Sequence, residues 1–141
     1  MKVNVCMPKS SSLITTIEER ISDWLRQKRM IARMKRFVKK CKGQSFPVEL
    51  TTQELQEAEI LIVKMIQEKY LSEEIARLKA GKQPKSTAIA KLQPIFDEHD
   101  VLRVGGRIST SNLEERVKHP VILPKKGSER IVEWHHRNIQ H

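Results

Sequence analysis

Residues 50–70 read LTTQELQEAEILIVKMIQEKY and carry the clearest helix signature in the chain. Thr51 and Glu54 stand at capping-box spacing: the threonine hydroxyl accepts from the backbone N–H three residues on, and the glutamate reaches back to the cap. Leu50 and Leu55 flank them as a hydrophobic staple, which fixes the angle at which the chain enters the helix. Leu55, Ala58, Ile62, Met65, Ile66 and Tyr70 then recur at three and four residues and share one face. Ser72, Glu73 and Glu74 restart a helix that runs to Lys79 and closes at Gly81.

Upstream, residues 15–19 offer two overlapping T-x-x-E pairings, a second helix start. RISDWLRQKRMIARMKRFVKKCKG (20–43) follows, with Ile21, Trp24, Leu25, Ile31, Met34, Val38 and Cys41 on one face. Arg26, Arg29, Arg33, Arg36 and Lys40 fall largely on the other, and Gly43 supplies the stop. A connector containing Pro47 is short enough to fold the two helices into an antiparallel pair, the acids of the second facing the cations of the first. Residues 1–16 are polar and non-periodic and are expected to be disordered. Residues 17–80 form the pair, and 81–91 have the composition of a linker.

Beyond Leu92 the period changes from helical to alternating. A turn at 97–100 precedes Leu102, Val104 and a Gly-Gly, and KHPVILP (118–124) is an apolar run between prolines. The pattern predicts two or three short strands, with the prolines confining the last to an edge or strand end. Ser128 caps a terminal helix. The fold class expected is α+β: a basic and acidic helical pair, then a β module and a C-terminal helix across 92–141.

The chain of 141 residues carries a net charge of +10, and its distribution is uneven. Residues 1–43 hold twelve Lys/Arg against three acids, whereas the remainder holds fifteen against fourteen. Such a face attracts nucleic acid without reading sequence, because phosphate neutralisation releases counterions; its ordinary alternative is a solvated charged face. No apolar run nears the ~20 residues needed to span a bilayer, and no leader peptide is expected. Cys6 and Cys41 lack CxxC spacing, which points to a reducing, intracellular compartment, nuclear or cytoplasmic. No nucleophile–base pair, phosphate loop or paired-carboxylate motif is present, so no enzyme activity is expected.

HHRNIQH (135–141) places His136 and His141 at H-x4-H, a spacing met in zinc sites, but structural zinc is closed by four ligands. By pattern alone, two imidazoles near a terminus are more often solvated. His99 and His119 are singletons, each expected to hydrogen-bond at the surface.

In order, LQPIFDEHDVLRVGGRI (92–108) and LEERVKHPVILPKKGSERIVEWHHRNIQH (113–141) resemble the region that leads into the integrase zinc-binding domain of BEL/Pao-type LTR retrotransposon polyproteins. That family runs L-x-P-F-x-D, a turn, L-R-V-G-G-R-[IL], a spacer, K-H-P-[IV]-[IV]-L-P, a helix and H-x4-H. Leu92, Pro94, Phe96, Asp97 and the run from Leu102 to Ile108 fit the first block, with Ile95 as a departure between Pro94 and Phe96. Residues 118–124 fit the second. DWLRQKRMIARMKRF and the acidic segment after it also resemble that polyprotein, so the likeness covers residues 17–141.

The resemblance implies that His136 and His141 are half of an HHCC zinc site on a truncated element. Zinc belongs to the full-length family and is not expected to be held stably here, since C-x2-C and the acidic catalytic core are absent. The strands are similar to an extension module of some retroviral integrases implicated in holding viral DNA ends. Arg103 and Arg107, spaced across Gly105-Gly106, can bring guanidinium groups and amides to a phosphate; a glycine bulge or turn is the plainer alternative. The expected function is therefore a non-catalytic fragment of an integrase region that binds nucleic acid, DNA above all, non-specifically. The residues expected to do so are Arg26, Arg29, Arg33, Arg36, Lys39, Lys40, Arg103 and Arg107. The alternative is a helical protein-interaction module that self-associates or packs with the rest of an integrase. A membrane partner is not expected.

Overall fold

The computed structural model describes residues 10–20, 23–106 and 119–139. Six helices and one small sheet lie within them: α1 (Ser10–Arg20), α2 (Trp24–Cys41), α3 (Thr52–Tyr70), α4 (Ser72–Lys79), α5 (Thr87–Lys91), β1 (Pro94–Phe96), β2 (Leu102–Val104) and α6 (Glu129–Ile139). The coarse α+β expectation holds. Among the described residues no helix is long and apolar enough to cross a membrane.

The organising element is α3. Its start follows the sequence signature: Thr51 Oγ1 accepts from Glu54 N at 3.2 Å, and Glu54 Oε2 accepts from Thr51 N at 2.8 Å. Leu50 and Leu55 pack against the core beside this cap. Ala58, Ile62, Val63, Met65, Ile66 and Gln67 are buried, a wider band than one stripe. The width has a cause: α1, α2 and α4 all pack on α3.

The first helices differ from expectation in two ways. The basic helix is not continuous from Thr15 or Thr16; it restarts at Trp24, where Asp23 takes an extended conformation and its side chain accepts from Leu25 N. Ahead of it, α1 begins at Ser10, inside the stretch expected to be disordered. Ile14 and Ile17 explain why: three residues apart on one face, both are buried in the shared core. Glu18 then accepts from Lys69 Nζ at 2.7 Å and from the Tyr70 hydroxyl, tying α1 to the end of α3. Residues 1–9, including Cys6, and Ile21 lie outside the described residues.

The helices α2 and α3 run antiparallel, as the order of their ion pairs shows: Arg36 with Glu54, Lys35 with Glu57, Lys28 with Glu59. The buried residues of α2 are Trp24, Gln27, Ile31, Ala32 and Arg36, whereas Met34 and Cys41 are exposed. The helix is thus rotated from the purely apolar face that periodicity suggests. Ion pairing with the α3 glutamates shares the contact face with the apolar side chains.

Residues 81–91 are not a free linker. The buried carboxylate of Glu74 accepts from Lys85 N at 2.9 Å and Ser86 N at 3.1 Å, which folds this segment back on α4 and leads into α5. Strands β1 and β2 pair antiparallel, with Ile95 opposite Arg103. Asp97 closes their turn by accepting from His99 N and Val101 N. The KHPVILP segment contributes a single bridge, Val121 to Arg103, extended by Val104 N donating to Pro120 O at 2.9 Å. The flanking prolines keep it from becoming a third full strand.

Val101 and Ile131 belong to the same apolar cluster as Ile14, Trp24 and Ile62, so the expected boundary at 81–91 does not separate two cores. The polar contribution to this union comes from Gln67, 1% exposed in the middle of the band. Its Nε2 donates to Leu102 O and Ile122 O at 2.9 and 2.7 Å, and its Oε1 accepts from Leu102 N at 2.9 Å. One side chain thereby holds both β2 and the bridging segment on α3. Replacing it with leucine leaves the Leu102 amide and the Ile122 carbonyl buried without their partner, at a cost of about 2–4 kcal/mol. Gln67→Leu should lower the denaturation midpoint accordingly and speed hydrogen exchange at the Leu102 amide; an unchanged midpoint would show that the glutamine is dispensable.

Candidate nucleic-acid interface

Eight Lys/Arg lie on α2, and the fold sorts them into two groups. Lys28 pairs with Glu59 at 3.5 Å, while Lys35 and Lys39 both approach Glu57, at 3.0 and 3.6 Å. The Lys35 ammonium, hydrogen-bonded to Glu57, holds that carboxyl below its ordinary value. These cations are spent on α3. Arg26, Arg29, Arg33 and Lys40 remain exposed, and among the described residues no acid pairs with them. At 100° per residue these four and Phe37 fall within an arc of about 80°. They form one outward stripe.

Arg36 departs from the expectation that it belongs to this surface. Its Nε donates to Glu54 Oε1 at 2.8 Å, and Nη2 reaches Glu54 Oε2. Nη1 donates to Pro47 O at 2.8 Å and Nη2 to Glu49 O at 2.8 Å, with the guanidinium 5.5 Å from the Phe46 ring centroid. The planar fork of arginine suits such a bidentate, many-sided role. Arg36 is therefore buried beneath the connector. It clamps the connector's backbone to both helices instead of meeting a ligand. Lys39, half-buried by Glu57, flanks the stripe.

Arg36 and the Thr51 amide together hold the Glu54 carboxyl down, from an ordinary 4.5 to about 2. A carboxyl depressed in the folded state stabilises fully above its unfolded value and loses that contribution as pH falls toward the folded one.

Arg103, the described member of the second expected basic pair, is also committed elsewhere. Arg103 Nε donates to Asp97 Oδ2 at 2.6 Å and Nη1 donates to His119 O at 2.9 Å, so this guanidinium fastens the hairpin turn to the bridging segment. Burial pushes the Asp97 carboxyl up, but Arg103 and the Val101 and His99 amides outweigh it and the net shift is downward. Gly105 has a packing reason of its own: a Cβ there would stand 2.2 Å from Gln93 O. Gly105 is thus a close backbone approach at the end of β2, and Gly106 follows it at a positive φ of 122°. Arg107 lies outside the described residues.

The histidines are dispersed. His136 is exposed near the end of α6, and His141 lies outside the described residues. His135 meets Trp134 edge-on at 5.0 Å, and its Nε2 is 4.0 Å from Glu59. Among the described residues no three His, Cys, Asp or Glu side chains are grouped to hold a metal ion. Of the H-x4-H pair only His136 lies within the described residues, and no zinc chemistry is assigned to it. His119 Nδ1 sits 3.0 Å from Val104 O, a hydrogen-bonding surface histidine as expected, and His99 lies beside Glu98.

Two features escape a reading by charge and periodicity. Phe37 is 63% exposed amid the cationic stripe, and Val48 across from it is 99% exposed. Between them runs an open groove of about 730 Å³, walled by Arg29, Arg33, Phe37 and Lys40 on one side and by Val48 and Glu49 on the other. The sequence signal was the position of Phe37, four residues after Arg33 and three before Lys40, on the polar side of the helix. No protein-family model, curated protein or solved structure gives a significant match to the chain.

The Glu54 pair sets an acid-stability test. Across about pH 6 to 2.5 the native chain should lose more thermal stability than Glu54→Gln, in which this group cannot titrate. Glu57 and Asp97, also depressed, titrate in both proteins and cancel in the comparison. Parallel curves would show that Glu54 is not held by Arg36 in solution.

Proposed function

We propose that the chain is the part of a BEL/Pao-type retrotransposon polyprotein that leads into the integrase zinc-binding domain. It is non-catalytic in itself, and its own biochemistry is sequence-independent binding of nucleic acid along α2. The observation that carries the binding is the sorting of the α2 cations. Once Lys28, Lys35, Arg36 and Lys39 are turned to α3, the four that remain line one face over roughly 21 Å of helix. Four exposed cations in a row, none of them in an ion pair among the described residues, have a polyanion as their natural counterpart.

The retroelement assignment draws on the two motif blocks LRVGGR and KHPVILP. Support comes from the way they fold together: Arg103 of the first bridges Val121 of the second, and His119 and Pro120 offer their carbonyls to Arg103 and Val104. Blocks that complete one another's backbone hydrogen bonds are expected to occur as a pair. The contrasting reading, a protein-interaction module, draws on Val132 and Ile139, exposed apolar side chains of α6.

Fluorescence anisotropy on a mixed-sequence DNA duplex distinguishes the two. If the four stripe cations each neutralise a phosphate, affinity should fall by about three to four log units per log unit of salt. The double variant Arg29→Glu/Arg33→Glu should abolish most of the binding while leaving the helical spectrum intact. Salt-insensitive or undetectable duplex binding, together with a mass that rises with concentration in sedimentation, would favour the interaction module instead.

A further inference from the structure

Resting on the nucleic-acid reading above, we propose that the groove beside α2 takes single-stranded nucleic acid, with one base stacked on the Phe37 ring and the flanking phosphates held by Arg29, Arg33 and Lys40. A phenylalanine exposed by 63% stands in the middle of a cationic stripe and takes no part in the apolar core. Its chemistry differs from that of its neighbours: the arginines and lysine attract any polyanion, whereas an aromatic face stacks well against another flat ring. A nucleobase supplies both halves of that description, with a π-face joined to a phosphate on either side.

The geometry favours a single strand over a duplex. Bases in a duplex are stacked on one another and present only their edges, so Phe37 would find no face to meet without unstacking them. In a single strand a base turns out freely. The opposite wall suits the same occupant: Val48 offers an apolar surface across from Phe37, and its backbone is fixed by Arg36, which binds the carbonyls of Pro47, Val48 and Glu49. The groove is therefore open, and its connector wall is tied to α2 through Arg36. Glu49 is a carboxylate on its lining, set against three exposed cations. A run of acidic side chains would match the charge but leave Phe37 without a stacking partner.

The test compares the full chain's affinity for a (dT)10 strand with that for an abasic decamer of the same length and charge, both fluorescently labelled. The wild-type chain should bind (dT)10 more tightly by about 5- to 150-fold, the range of one base–aromatic stack. Phe37→Leu should abolish that difference without altering the salt dependence, and Phe37→Tyr should restore it. Because Phe37 is exposed, neither variant disturbs the core; matching circular dichroism and thermal midpoints check this. Equal affinity of wild type for the two strands, with salt-dependent binding retained, overturns base stacking and leaves the charge reading standing. Failure to bind any strand or duplex overturns both. Polyglutamate of matched charge that competes as well as (dT)10 would make an acidic polypeptide the occupant and overturn the proposal.

Discussion

A single carboxylate, that of Glu54, decides how the first half of this molecule is put together. It closes the capping box on Thr51, which starts α3, and it receives the guanidinium of Arg36, which fixes α2 against it. Arg36 in turn gathers the carbonyls of the connector between the helices. Three things follow from this one knot: the point where α3 begins, the antiparallel sense of the pair, and the rotation of α2 about its own axis. The rotation matters most for function, since it decides which cations meet glutamates and which meet solvent. Desolvation offsets much of the attraction in a buried pair of this kind. What the pair fixes here is the arrangement of a surface.

The other half is joined by a different device. An apolar cluster runs from Ile14 and Trp24 to Val101 and Ile131, but apolar packing alone sets no register for a hairpin. Gln67 supplies it, since an amide can donate twice and accept at the same time, and the backbone groups it meets are fixed in spacing. A leucine of similar size would fill the volume and lose the alignment. The hairpin and the KHPVILP segment are in this sense mounted on α3 through one side chain.

How far the sequence foretold this depended on whether the signal was local. The Thr51–Glu54 box, the staple leucines, the hairpin turn at Asp97 and the stop at Gly43 all read correctly, because each involves residues within five positions of one another. The start of α1 did not, because Ile14 and Ile17 lie among serines and threonines and gain their place only by packing on α3. The break before Trp24 was hidden by the overlapping T-x-x-E pairs, which drew the helix start upstream of Asp23. Arg36 looked like its exposed neighbours, since nothing in a helical wheel reveals that a connector's carbonyls will fold over one flank. Of the residues expected to meet nucleic acid, Arg26, Arg29, Arg33 and Lys40 stand on the open face. Arg36 and Arg103 are structural fasteners, and Phe37, which carries no charge, is invisible to a pattern of charges.

The contact between α2 and α6 has an optical corollary. Lys28 places its ammonium 5.5 Å from the ring of Trp24 and 5.0 Å from that of Trp134, and these are the chain's two tryptophans. One indole is buried in the core and the other lies at the docking seam of the last described helix. Both chromophores therefore meet one ammonium, and unseating α6 would change the surroundings of Trp134 while taking one of the two rings away from Lys28. Intrinsic emission should follow the seating of α6 without any label.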